Sequence, residues 1–185
     1  KSELYDYLAA NTKTAFVNLD DSIQKEKTEN LSRFTFAVDD YNCNVRIEAV
    51  TANPMVEIKY AGLTIHSHLI GIYNATNISA AIAIGNHFEI EDALIKEAIE
   101  GYIPTNNRSQ LLEKNSNKII LDAYNANPSS MKAAIANFLN LDTVTPTKIA
   151  ILGDMFELGN ESLDEHKTIV ASLKNKEGIE VYFVG

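Results

Sequence analysis

Ile119-Ile120-Leu121-Asp122-Ala123-Tyr124-Asn125-Ala126-Asn127-Pro128-Ser129-Ser130-Met131 holds three kinds of local structure in one short stretch. An apolar run ends on a carboxylate, a loop crowded with hydrogen-bonding side chains follows, and Pro128 opens a new segment. Proline suits the first turn of a helix, because the N–H it lacks has no intrahelical partner there. The stretch therefore predicts a strand over 118–122, a loop, and a helix over 128–139. Around it, 109–114, 148–152 and 180–184 read as strands and 163–174 as a helix. This alternation predicts an α/β fold, here a Rossmann-like unit with a mainly parallel sheet covered by helices.

Toward the N terminus the pattern differs. Ile103-Pro104-Thr105-Asn106-Asn107 has no apolar period, and it places a domain boundary near residue 104. Two domains follow, 1–104 and 105–185. In the first, 14–19, 34–38, 45–52, 55–60 and 63–69 read as strands. Ala61-Gly62 between the last two is a tight hairpin signal. Val56, Ile58, Tyr60, Ile65 and Leu69 alternate with polar residues, so one face of that mixed sheet is expected to be wet. Residues 2–10 read as a short helix. From Asn74 the period becomes helical, with Ile78, Ala81, Ile82, Ile84 and Gly85 expected to pack on several sides. Residues 91–101 form a further helix with Leu94, Ile95, Ala98 and Ile99 inward.

Composition bounds the function. Of 185 residues, 45% are hydrophobic and 22% charged, an ordinary globular balance. The formal charge of −9 argues against a nucleic-acid partner, since phosphate binding needs surplus Lys and Arg. A single cysteine, Cys43, excludes an internal disulfide and fits a reducing cytoplasm. No apolar run approaches the roughly 20 residues that span a bilayer, so no membrane insertion is expected. The start reads like mid-helix and the end like a strand, as in a piece of a longer protein.

Four places carry candidate chemistry. Asn74 and Asn77, three apart at a helix start, lie on one side and could together meet the edge of a purine. A helix cap is the competing reading of Asn74. Arg108 beside the domain joint suits a phosphate or carboxylate, or a plain salt bridge. Asp122 ends a strand where α/β folds place ligands and could accept from a ribose diol, while Tyr124, Asn125 and Asn127 follow in a loop that could fix a polar substrate. Asp and Asn as helix caps explain one or two of these residues but not all. Asp154 and Glu157, after the next strand, could receive an ammonium group or order a loop. His66 and His68 share a face but lack an evident third metal ligand, and His166 reads as surface. The chain has no Gly-x-Ser-x-Gly, no Gly-x-Gly-x-x-Gly and no P-loop.

At these places the chain resembles the Mur ligases, ATP-dependent amide ligases of peptidoglycan synthesis. Asp122 to Met131 is similar to a family signature D-x-Y-N-A-N-P-x-S-M. Gly153-Asp154-Met155-Phe156-Glu157-Leu158-Gly159, with His166 beyond it, is similar to G-D-M-x-E-L-G…H. Asn74 and Asn77 match H-N-x-x-N, with Tyr73 where many members have His. Phe16-Val17-Asn18-Leu19-Asp20-Asp21 resembles the strand ending in N-x-D-D. The loop resembles the branch that joins D-alanyl-D-alanine to UDP-N-acetylmuramoyl-tripeptide. The resemblance implies that 1–104 is the second half of a central ATP-binding domain and 105–185 a truncated C-terminal domain. It implies ATP and magnesium as cofactors, with the P-loop, catalytic groups and magnesium ligands upstream of Lys1. It assigns Asn74 and Asn77 to adenine, Arg108 and Asp122 to the ribose–phosphate side, and Tyr124, Asn125 and Asn127 to the region of the dipeptide. A cytoplasmic monomer, inactive as this piece alone, is expected. A folylpolyglutamate-synthase-like or cyanophycin-synthetase-like ligase, or a non-catalytic nucleotide-binding or interaction module, is the alternative.

Overall fold

The computed structural model describes residues 2–105, 107–141 and 148–185, so Asn106 of the expected linker lies outside the described residues. The chain divides into two compact units, Lys1–Ile103 and Pro104–Gly185.

The first unit is built on five strands in the order of the sequence: β1 Ala15–Asn18, β2 Arg33–Val38, β3 Val45–Ala52, β4 Met55–Tyr60 and β5 Leu63–Ile70. β1–β2 and β2–β3 run parallel; β3–β4 and β4–β5 run antiparallel. The β4–β5 turn is Ala61-Gly62, both at positive φ (49° and 72°), which matches the twist of the strands it joins. Parallel neighbours usually need a crossover of about a dozen residues, yet only the segment 39–44 links β2 to β3. Asn44 holds that link, its Oδ1 accepting from Thr35 N at 2.8 Å and Thr35 Oγ1 at 2.9 Å.

α1 (Ser2–Ala10) precedes β1, and α2 (Ser22–Lys27) follows it. Asp21 caps α2, accepting from Ile23 N and Gln24 N. α3 (Ala75–His87) lays Ile78, Ile82 and Ala83 against Ile47, Val56, Ile58 and Ile65 of the sheet. Alternation fails where α4 (Asp92–Gly101) is concerned. Leu94 and Ala98 are exposed, and Ile95 alone is fully inward. The cause is position: α4 runs beside edge strand β5, where Lys96 Nζ donates to Thr64 O and Glu100 Oε1 accepts from His66 N. In α3, Ala81 and Ile84 likewise face outward. The helices meet at Gly85, where a Cβ would lie 2.9 Å from Ile95 Cδ1. His66 and His68 stand on the wet face, His66 Nδ1 lying 3.0 Å from Glu57.

In the second unit β6 (Gln110–Lys114) and β7 (Asn117–Leu121) form an antiparallel hairpin, and β8 (Lys148–Gly153) pairs in parallel with β9 (Ile179–Val184). The expected strand–helix alternation is present, and among the described residues of this unit the parallel ladder is β8–β9. α5 (Pro128–Asn140) and α6 (Ser162–Leu173) supply Ile135, Ile169 and Leu173 to a small core with Met155.

Candidate functional site

In the first unit, Gly71 (φ 89°) turns the chain out of β5 into a 3-10 turn, Ile72–Asn74, that leads directly into α3. Asn74 is therefore already helical (φ −78°, ψ −12°) and its side chain makes no capping bond. Buried instead, its Nδ2 donates to Ile70 O at 2.8 Å and its Oδ1 accepts from Asn77 Nδ2 at 3.1 Å. The cap reading of Asn74 fails for this reason. One carboxamide is committed to the fold and aims the other. Asn77 is exposed, with its Oδ1 and one amide hydrogen open to a ligand.

In the second unit, the loop after β7 gathers Arg108, Asp122 and Tyr124. Asp122 Oδ1 accepts from Ser109 N at 3.1 Å, and Ala123 N donates to Asn107 O at 2.8 Å. These bonds staple the segment entering β6 to the segment leaving β7. The Arg108 guanidinium lies 3.9 Å over the centre of the Tyr124 ring, a stacking that fixes a mobile cation by its flat face. A carboxylate accepts about four hydrogen bonds, so Asp122 keeps acceptor capacity after binding Ser109. Asn125 is exposed in the same loop. Asn127 caps α5: its Oδ1 accepts from Ser130 N at 2.9 Å, and Ser130 Oγ accepts from Asn127 N at 3.1 Å. Its oxygen serves the helix, and its Nδ2 remains for other partners.

The loop after β8 makes a third group. Asp154, Met155, Phe156, Asn160, Leu163 and His166 help line a cleft of about 510 Å³. His166 is not a surface residue in the expected sense. Its Nε2 accepts from Met155 N at 3.1 Å, and its Nδ1 lies 2.7 Å from Ser162 O. Both bonds are satisfied by the neutral ring with its proton on Nδ1. His166 thus ties the first turn of α6 to the loop that carries Asp154. Asn160 and Leu163 fall outside the quoted motif residues, and only the helix start at Ser162 points to them. Glu157, at φ 64°, does not line the cleft.

Residues 107–185 match the family model described as Mur ligase, glutamate ligase domain. A UDP-N-acetylmuramoyl-tripeptide–D-alanyl-D-alanine ligase of Bacillus subtilis is 40% identical over 100 residues, 54% of this chain and 22% of that protein. MurF from Acinetobacter baumannii superposes with a TM-score of 0.81 at 23% identity, over 100% of this chain and 41% of that one. A MurF ligase from Thermotoga maritima, solved in complex with ADP, gives 0.71 at 20% identity, over 91% of this chain and 40% of that one. The aligned stretches cover 22%, 25% and 27% of three such curated relatives, and over its full length the chain spans 42% of another. Among the described residues no helix is long and apolar enough to cross a membrane.

Proposed function

We propose, for a chain that is a segment of a Mur ligase of the MurF type, that the intact protein joins D-alanyl-D-alanine to UDP-N-acetylmuramoyl-tripeptide at the expense of ATP. In this reading 1–104 is the second half of the ATP-binding domain and 105–185 the C-terminal domain, in a cytoplasmic monomer. The observation that carries it is the gathering of Arg108, from the segment entering β6, with Asp122 and Tyr124 of the loop after β7 that bears the most specific motif.

ATP supplies the phosphoryl group that converts the acceptor carboxylate into an acyl phosphate, which the amine of the dipeptide then displaces. The residues of this chain bind and orient. Asn77 meets the adenine edge, and Asn74 is the positioning residue that aims it. Asp122 accepts from the ribose hydroxyls. Arg108, flattened on Tyr124, faces the ribose–phosphate side, where a guanidinium is worth more than an ammonium for its planar fork. Tyr124, Asn125 and the free Nδ2 of Asn127 face the peptide. Among the described residues no group of three His, Cys, Asp or Glu could hold magnesium. The reading assigns that ion to residues upstream of Lys1 and routes no step here through it.

Calorimetric titration of the chain with ADP tests the nucleotide half. Binding should fall about tenfold in Asn77→Ala, the worth of one or two hydrogen bonds, with the melting temperature unchanged. Equal affinity in the variant would remove Asn77 from the site. In the protein extended upstream, turnover with D-alanyl-D-alanine and the UDP-muramyl-tripeptide, and with no other pair, is the expected result. Absence of both binding and turnover would sink the ligase reading.

A further inference from the structure

The segment Asn18-Leu19-Asp20-Asp21 at the end of β1 has no role in the function described so far. It borders a small recess of about 40 Å³ beside the first turns of α3. Asn18, 8% exposed, and Ser79, 3% exposed, bring polar side chains to its buried part, among Phe36, Ala37 and Ala75. Asp20 and Thr76 stand exposed at its rim.

The bonds around the recess fix what each group has left to offer. Asp20 N donates to Asn18 Oδ1 at 3.0 Å, so the amide oxygen is committed and the Nδ2 hydrogens are what that side chain gives to the recess. Among the described residues Nδ2 itself meets no acceptor. Ser79 Oγ donates to Ala75 O at 2.8 Å and keeps only its lone pairs. Asp20 Oδ2 accepts from Val38 N at 2.9 Å, which leaves Oδ1 as an acceptor. A donor on a side chain more than nine-tenths buried therefore shares the recess with two acceptors. The amide hydrogens repel a bare cation, and the carboxylate repels an anion. A recess of about 40 Å³ is far below the roughly 300 Å³ at which organic-ligand pockets begin. It exceeds the roughly 30 Å³ that a water molecule occupies in the liquid. Water both accepts and donates, and about three bonds to buried polar groups are usual for an internal one.

We infer that this recess holds an ordered water molecule that joins the end of β1 to the first turns of α3, accepting from Asn18 Nδ2 and donating to Ser79 Oγ and Asp20 Oδ1. An unpaired amide on so buried a side chain is costly, and the water removes that cost. The joint lies within the first unit and does not depend on what Asn77 binds, although Asn77 projects from the helix turn that the water steadies.

The test uses the isotope-labelled 185-residue chain. Water should give cross-peaks to the methyl groups of Ala37 and Ala75, opposite in sign in the laboratory and rotating frames, the mark of a molecule held far longer than surface water. Ser79→Ala combined with Thr76→Val removes both hydroxyls able to relay such peaks by proton exchange. The peaks should persist there, because Asn18 and Asp20 still hold the water. Ala75→Val fills the recess and should abolish the Ala37 peak. The relaxation dispersion of the water oxygen, which hydroxyl exchange does not touch, should then drop by the amplitude of one molecule. Methyl signals unchanged outside the recess show that the variant is folded. Absence of the peaks in the unaltered chain would overturn the inference. Loss of the peaks with the two hydroxyls would overturn it as well, since they would then report exchange. Peaks and dispersion both unchanged in Ala75→Val would place the water elsewhere and do the same. Should Ala75→Val fail to fold, the unaltered chain and the hydroxyl-free variant decide the matter.

Discussion

Lys1–Ile103 and Pro104–Gly185 make opposite use of their apolar residues. Among the described residues, the first unit closes twelve buried side chains, from Phe36 to Ile95, into one cluster between the sheet, α3 and α4. The described residues of the second close four, Ile135, Met155, Ile169 and Leu173, and leave Ile149, Ile151 and Tyr182 more than half exposed on its parallel strands. The motif loops follow the same division. Asn74, in the first unit, is buried and spent on the fold, whereas Asp122, Tyr124, Asn125 and Asp154 all stand at the surface of the second.

The largest effect tests that contrast directly. Ile82, wholly buried in the first unit, should cost about 2–5 kcal/mol when cut to Ala, read by urea unfolding followed in 1–103. Ile135→Ala in the second unit should fall at the low end, about 2 kcal/mol, because the surroundings of a small cluster can collapse into the gap. Equal losses would break the comparison. Next comes Gly85→Ala, whose added Cβ meets Ile95 at 2.9 Å and should destabilise by about 1–3 kcal/mol. Restoring stability with a smaller residue at 95 would sharpen the assignment. Asn127→Ala removes a reciprocal cap and should cost about 1 kcal/mol, seen as faster amide exchange in the first turn of α5 alone.

The smallest effect appears only in base. Burial, with the Asp92 carboxylate accepting from its hydroxyl, pushes Tyr60 up to about 12. Below about pH 10 the phenol is neutral folded and unfolded and adds no pH dependence. Above it the unfolded chain gains the charge first, so the first unit should lose stability as pH rises from about 10 toward 12. Tyr60→Phe should flatten that slope. An unchanged slope would locate the titrating group elsewhere.

The sequence reports most where a local rule admits one solution. Ala61-Gly62 announces its hairpin because Gly62 takes positive φ freely between two alternating runs, and Pro128 announces α5 because a proline suits a helix's first turn. It reports least where a distant group decides. Asn74 looks like a cap, yet the 3-10 turn set up by Gly71 places it inside the helix, and only then can it reach Ile70 O. Asn115-Ser116 is an uncommon hairpin pair, so β6 and β7 are legible as strands and their antiparallel pairing is not. Nothing about position 166 alone says that its ring will bridge Met155 and Ser162, since that depends on how α6 docks. The segments that carry the candidate site are thus legible in the sequence, and the division of labour within them is not.

The strand order of the first unit has a kinetic side. Each strand pairs with the one made just before it, and even the parallel β2–β3 contact closes through a short link held by Asn44. Pairing between near neighbours costs little loop entropy and favours fast folding. The sheet can be laid down strip by strip in the direction of synthesis, with β5 last and α3 arriving at once to roof it.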